Sequence, residues 1–182
     1  MITAINRSES FEHRLARVQL LLLDVDGVLT DGGVTWTDAG SEHKTFNIRD
    51  GLGLKLWQEA GGRAGIVTGR SSRIVDIRAA ELGIGIVRQG VVNKLEVAAE
   101  IVAQCGLSWE ETAFIGDDLP DVPVMIRCGI GVAVADACAD VVRVAALVTR
   151  LPGGRGAVRE VIEQLLHARG SWETIVRRYS IV

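Results

Sequence analysis

"LLLLDVDGVLTDGG", residues 20–33, decides how the rest of the chain is read. Its hydrophobicity is continuous rather than alternating, which marks a strand covered on both faces, as in the interior of a parallel sheet. At the end of that strand stand Asp24 and Asp26, one residue apart, with glycines just beyond. Carboxylates are costly to bring into an apolar setting unless something compensates their charge. A buried strand that ends in two of them therefore points to a site.

Working outward, five more short apolar runs follow: residues 64–69, 83–90, 112–117, 129–136 and 146–150. Between them lie segments of helical period. Residues 50–61, 71–83, 93–106 and 156–170 each end in glycine, the usual helix stop, and the second begins with serine as a cap. In 93–106, Leu95, Ala98, Val102 and Cys105 share a face; in 156–170, Val158, Val161, Ile162, Leu165 and Leu166 do. Strands alternating with helices predict an α/β fold, a doubly wound parallel sheet with right-handed crossovers. One segment, "GGVTWTDAGSEHKTFNIRD" at 32–50, alternates apolar and polar residues on both sides of "DAG" and predicts a β-hairpin inserted after the first strand, placed to shield Asp24 and Asp26. The expected organisation is an N-terminal extension at 1–17, one α/β domain at 18–170 and a tail at 171–182.

The 182 residues, 48% hydrophobic, suit one compact domain rather than two. Lysine plus arginine number 20 against 23 acids, so the net charge of −3 gives no sign of a nucleic-acid or anionic-membrane partner. Cys105, Cys128 and Cys138 are odd in number and lack a C-x-x-C pair, which suggests neither a disulfide framework nor a zinc site. No apolar stretch approaches the roughly 18 residues of a membrane span. The polar opening lacks a secretory signal, so a cytoplasmic protein is expected.

Ligands of an open parallel sheet bind at the carboxyl ends of its strands. There the sequence places Asp24 and Asp26; Thr68, Gly69 and Arg70; and Gly116, Asp117 and Asp118, with Asp121 a turn later, while Lys94 opens the helix after the third core strand. So many converging carboxylates require a cation, and an all-oxygen donor set favours magnesium, which leaves room for a phosphate. Lys94 and the donors around Thr68 suit the remaining phosphate oxygens. Two aspartates separated by one residue of extended chain are expected to point the same way. Asp24 then serves as carboxylate nucleophile and Asp26 as acid and base.

Together "DVDGV", "VTGR", "NKL" and "GDDLPD" resemble, in order, the four signature elements of the haloacid dehalogenase-like superfamily of aspartyl-phosphate phosphohydrolases. Seven segments, "DVDGVLTDG", "FNIRDGLGLKL", "TGRSS", "QGVVNKLE", "FIGDDLPDVPVM", "GVAVADA" and "GGRGAVREV", are similar to its small capless sugar-acid phosphatase branch over residues 18–170. Val28, where many superfamily members carry threonine, agrees with that branch. The resemblance implies magnesium on the carboxylates of Asp24 and Asp117 and the backbone carbonyl of Asp26, with Asp118 and Asp121 in support. It further implies a homotetramer in which a neighbour covers the site, and a substrate that is a phosphorylated 2-keto-3-deoxy sugar acid, 3-deoxy-D-manno-octulosonate 8-phosphate, on the route to lipopolysaccharide. Arg155 in "GGRG" becomes a candidate for the substrate carboxylate or phosphate. The tail "SWETIVRRYSIV" departs from the usual glycine-containing end.

Plainer readings stand beside these. Asp118 and Asp121 also suit helix capping. Arg70, Arg73 and Arg155 also suit surface charges, and "GGRG" lacks the ending of a nucleotide-binding loop. His13, His43 and His167 show no metal-ligand spacing. Three other functions compete. A phosphatase for N-acylneuraminate 9-phosphate or a deoxynonulosonate 9-phosphate would share the core, with Glu42, His43, Lys44, Asn47 and Arg49 of the hairpin as discriminators. A phospho-accepting receiver would need its aspartate on the third strand, which instead ends "IVRQG". A non-catalytic assembly module would have lost Asp24.

Overall fold

The computed structural model describes residues 10–180. In chain order the elements are α1 (Phe11–Arg17), β1 (Leu20–Leu23), β2 (Thr35–Trp36), β3 (Glu42–His43), α2 (Ile48–Glu59), β4 (Arg63–Val67), α3 (Arg73–Leu82), β5 (Ile86–Arg88), α4 (Lys94–Gln104), β6 (Thr112–Gly116), α5 (Val122–Arg127), β7 (Ile130–Ala133), α6 (Ala139–Val144), β8 (Leu147–Val148), α7 (Ala157–Ala168) and α8 (Trp172–Arg177). Six strands form one sheet in the order β5-β4-β1-β6-β7-β8, every pair parallel. The six apolar runs are its six strands.

β1 explains its own composition. Leu21 and Leu23 pack in the layer that contains Leu54 and Trp57 of α2 and Val158, Val161, Ile162 and Leu165 of α7. Leu20 and Leu22 face the opposite layer, with Ala98, Ile101 and Val102 of α4 and Val124 and Met125 of α5. All four leucines are fully buried, so alternation is absent because neither face of the strand meets water. The chain leaves β1 toward β4 and β5, then returns to the other side of β1 for β6, β7 and β8. That reversal opens a crevice beyond the carboxyl ends of β1 and β6, where such sheets bind ligands.

The expected hairpin is shorter than 32–50. Only Thr35–Trp36 and Glu42–His43 pair, Trp36 opposite Glu42, and the turn closes through Gly40 N–H to the Thr37 carbonyl at 2.9 Å. Residues 48–50, assigned from the sequence to the hairpin, open α2 instead, because the Asn47 side chain caps it by accepting the Arg49 N–H at 2.8 Å. The short helices α1, α5, α6 and α8 were not anticipated; each has six or seven residues, too few for a periodic pattern to stand out. Leu15 of α1 and Ile175 of α8 both reach the core. Among the described residues no helix is long and apolar enough to cross a membrane.

Candidate active site

Asp24 follows β1 directly and its N–H still bonds the Ile115 carbonyl of β6 at 3.1 Å, so the sheet itself fixes its position. One carboxylate oxygen accepts the Val25 N–H at 2.6 Å and the other meets Lys94 Nζ at 2.7 Å. Lys94 Nζ also pairs with Asp121 Oδ1 at 2.7 Å, and the lysine is only 4% exposed. Burial works against its charge, but Asp24 and Asp121 outweigh burial and raise its pKa. Asp121 commits its second oxygen to the N–H groups of Asp117 and Asp118, at 3.0 and 3.3 Å. It thus ties Lys94 to the loop after β6. Asp118 caps that loop's single 3-10 turn by accepting the Leu119 N–H at 2.8 Å, so the capping reading of both residues describes what their side chains do here.

Asp117 differs from its neighbours. Its Oδ1 is buried without a hydrogen-bond partner, while ligand oxygens of Asp24, Asp117 and Asp121 all lie within 4.8 Å of one another. Burial, then the charges of Asp24 and Asp121, push its carboxyl up to about 7. An orphaned carboxylate oxygen among acids, with no nitrogen or sulfur donor in the cluster, fits a hard divalent cation such as magnesium. Gly27 makes room for it: the glycine has φ +84°, and a Cβ there would lie 2.0 Å from Asp117 Oδ2.

Asp26 departs from the sequence expectation. Residues 25–30 form a helical turn, with the N–H groups of Val28, Leu29 and Thr30 all directed to the Val25 carbonyl, so strand alternation does not aim Asp26 beside Asp24. Its direction comes from ion pairs: Lys44 holds Oδ1, and Arg70 Nε lies 3.4 Å from Oδ2. Glu42 anchors both cations, at 3.5 Å from Lys44 and 2.9 Å from Arg70. The Ser72 hydroxyl first, then Arg70 and Lys44, hold the Glu42 carboxyl below its ordinary value. The sequence marked Lys44 only as a possible specificity residue; no local pattern shows that its side chain is 1% exposed.

Asp24, Asp26, Thr68, Gly69, Arg70, Lys94, Asp117 and Asp118 line one cleft of about 310 Å³. Thr68 reaches it at the end of β4, and Gly69 and Arg70 follow. Arg155 does not line this cleft. Its side chain is 66% exposed and lies 3.5 Å from Asp31. The "GGRG" loop serves a different purpose, since its N–H groups are already committed. Gly153 donates to Asp136 at 2.9 Å, Gly154 to the Val28 carbonyl at 2.9 Å, and Gly156 to Asp50 at 3.2 Å. A Cβ on Gly153 would sit 1.7 Å from the Gly27 carbonyl oxygen, so the loop braces the turn that carries Asp26. The sequence reading missed Asp50, a buried carboxylate inside α2 that also accepts the Arg159 N–H at 2.7 Å; burial raises its pKa.

With this geometry in place, comparison with known proteins is decisive. Residues 83–162 match the haloacid dehalogenase-like hydrolase family. The chain is 45% identical over 153 residues to 3-deoxy-D-manno-octulosonate 8-phosphate phosphatase of Escherichia coli strain K12, covering 84% of this chain and 81% of that protein. It belongs to this phosphatase family of haloacid dehalogenase-like hydrolases. Solved members of the family superpose closely. The Yersinia pestis 3-deoxy-D-manno-octulosonate 8-phosphate phosphatase has a TM-score of 0.88 at 42% identity, over 89% of this chain and 88% of that one. The Moraxella catarrhalis phosphatase, solved in complex with magnesium ion, phosphate ion and a KDO molecule, has a TM-score of 0.92 at 37% identity, over 93% and 97%. The α/β fold without a cap domain is therefore that of the family.

Proposed function

We propose that this protein is a magnesium-dependent phosphomonoesterase that hydrolyses 3-deoxy-D-manno-octulosonate 8-phosphate to the free sugar acid and phosphate. One observation carries the reading: Asp24 faces the buried Lys94 and the unpartnered Asp117 oxygen in a cleft at the switch point of the sheet. Asp24 attacks phosphorus in line, and Asp26 protonates the departing sugar oxygen and then takes a proton from the water that hydrolyses the aspartyl phosphate. Lys94 and Thr68 donate to the phosphoryl oxygens, with Gly69 and Arg70 lining the substrate side. The carboxylates of Asp24 and Asp117 and the backbone carbonyl of Asp26 would hold magnesium, which supplies positive charge against the phosphoryl oxygens. Asp118 and Asp121 support this set by ordering the loop and Lys94. Arg70, within the cleft, is a better partner for the substrate carboxylate than Arg155, which lies outside it.

On this reading residues 18–170 are the catalytic unit, the protein works in the cytoplasm on the route to lipopolysaccharide, and it assembles as a homotetramer that covers the cleft in place of a cap. The test is phosphate release, with and without magnesium, from the eight-carbon substrate and from N-acylneuraminate 9-phosphate. Metal-dependent turnover with the eight-carbon ester preferred is expected. Preference for the nine-carbon ester would contradict the substrate assignment, and turnover of neither would contradict the activity.

A further inference from the structure

Lysine side chains are rarely buried, yet that of Lys44, one residue past β3 of the inserted hairpin rather than in the sheet core, is 1% exposed. It sits between Asp26 Oδ1 and Glu42, while Arg70 takes Asp26 Oδ2 and the same Glu42 oxygen. The two cations differ in freedom. The Arg70 side chain is 45% exposed and lines the cleft, so an incoming anionic group competes for it; that of Lys44 is 1% exposed and has no such alternative.

We propose that Lys44 is a positioning residue for the proton-transfer step: it holds Asp26 Oδ1 throughout, so that Oδ2 alone is presented to the leaving oxygen once Arg70 turns to the substrate. This rests on reading Asp26 as the acid. In that step a bond forms from the Asp24 carboxylate to phosphorus, the bond from phosphorus to the ester oxygen breaks, and the proton on Asp26 Oδ2 passes to that oxygen. The turn at residues 25–30 gives Asp26 no strand to fix its direction, which explains why a cation delivered from the hairpin is needed.

The proposal predicts a dependence on leaving group. A sugar alkoxide needs the proton, whereas para-nitrophenolate departs without it, so misplacing Asp26 harms only the first. In single-turnover measurements on the magnesium-loaded protein, Lys44→Met should slow cleavage of 3-deoxy-D-manno-octulosonate 8-phosphate by about 10- to 100-fold. KM and the first-turnover release of para-nitrophenolate should stay within about twofold, the scale expected when the proton is not needed. Lys44→Cys treated with 2-bromoethylamine, which restores an amine of lysine length, should recover the lost rate relative to identically treated wild type. Should Lys44→Met fail to fold, Lys44→Gln is compared on the same two esters. An equal loss on both esters, or no loss on either, overturns the proposal. Asp26→Asn is the separate control: if it cleaves the sugar ester at the wild-type rate, the acid assignment itself fails, whatever Lys44 does.

Discussion

At the scale of single residues, charge compensation decides what each carboxylate can do. Asp24 and Asp121 share Lys94, Asp26 has Lys44 and Arg70, and Asp117 alone keeps a bare buried oxygen. Because the metal-free Asp117 carboxyl is pushed up to about 7, it holds its proton below that pH and magnesium must displace it. Magnesium affinity is therefore expected to weaken as pH falls below about 7, by up to roughly tenfold per pH unit, with proton release on binding. Calorimetric titration in buffers of different ionisation enthalpy checks this; an affinity unchanged between about pH 5.5 and 8 would contradict it. The acids themselves were legible in the sequence because their spacing follows the strand ends. What aims Asp26 was not: the cation at Lys44 comes from 18 residues away, and the alternation that marks the hairpin does not say which of its side chains meets Asp26.

At the scale of elements, the turn after β1 and the loop before α7 act as one brace. Gly27 needs a positive φ and leaves no space for a Cβ against Asp117. Gly27→Ala should destabilise the protein by about 1–2 kcal/mol from the backbone strain alone. It should also weaken magnesium binding, measured by thermal melting with and without the ion; a melt unchanged in both would show that the turn relaxes freely. On the other side of the brace, Asp50 ties α2 to the N–H groups of Gly156 and Arg159 at the start of α7. Asp50→Ala leaves those donors buried without a partner and should cost about 1–3 kcal/mol in urea denaturation. The core strands were read from short continuous apolar runs and the long helices from a 3.6-residue period repeated over several turns. The start of α2 was misplaced because an asparagine cap resembles hairpin chemistry, and Asp50 went unnoticed because its partners lie more than 100 residues away.

At the scale of the whole molecule, sheet order turns a linear sequence into a site. Asp24 and Asp117 are 93 positions apart, yet β1 and β6 are neighbours, so their carboxyl ends meet at the reversal of strand order. Alternation of strand and helix makes the sheet parallel and gathers the carboxyl ends of its strands on one edge, which is why the site's location was legible before its contacts were. Trp36 of the hairpin is 59% exposed. Sedimentation velocity is expected to find a tetramer, and a monomer at micromolar concentration would contradict the proposed assembly. In the proposed mechanism Asp24 carries the phosphoryl group, and the reaction depends on magnesium. The most direct test is phosphate release from 3-deoxy-D-manno-octulosonate 8-phosphate by wild type and Asp24→Asn, each with and without magnesium. Metal-dependent turnover in the wild type, with a loss on the order of 10⁴-fold or more in the variant, is the predicted result; comparable turnover by the variant, or turnover indifferent to magnesium, would contradict it.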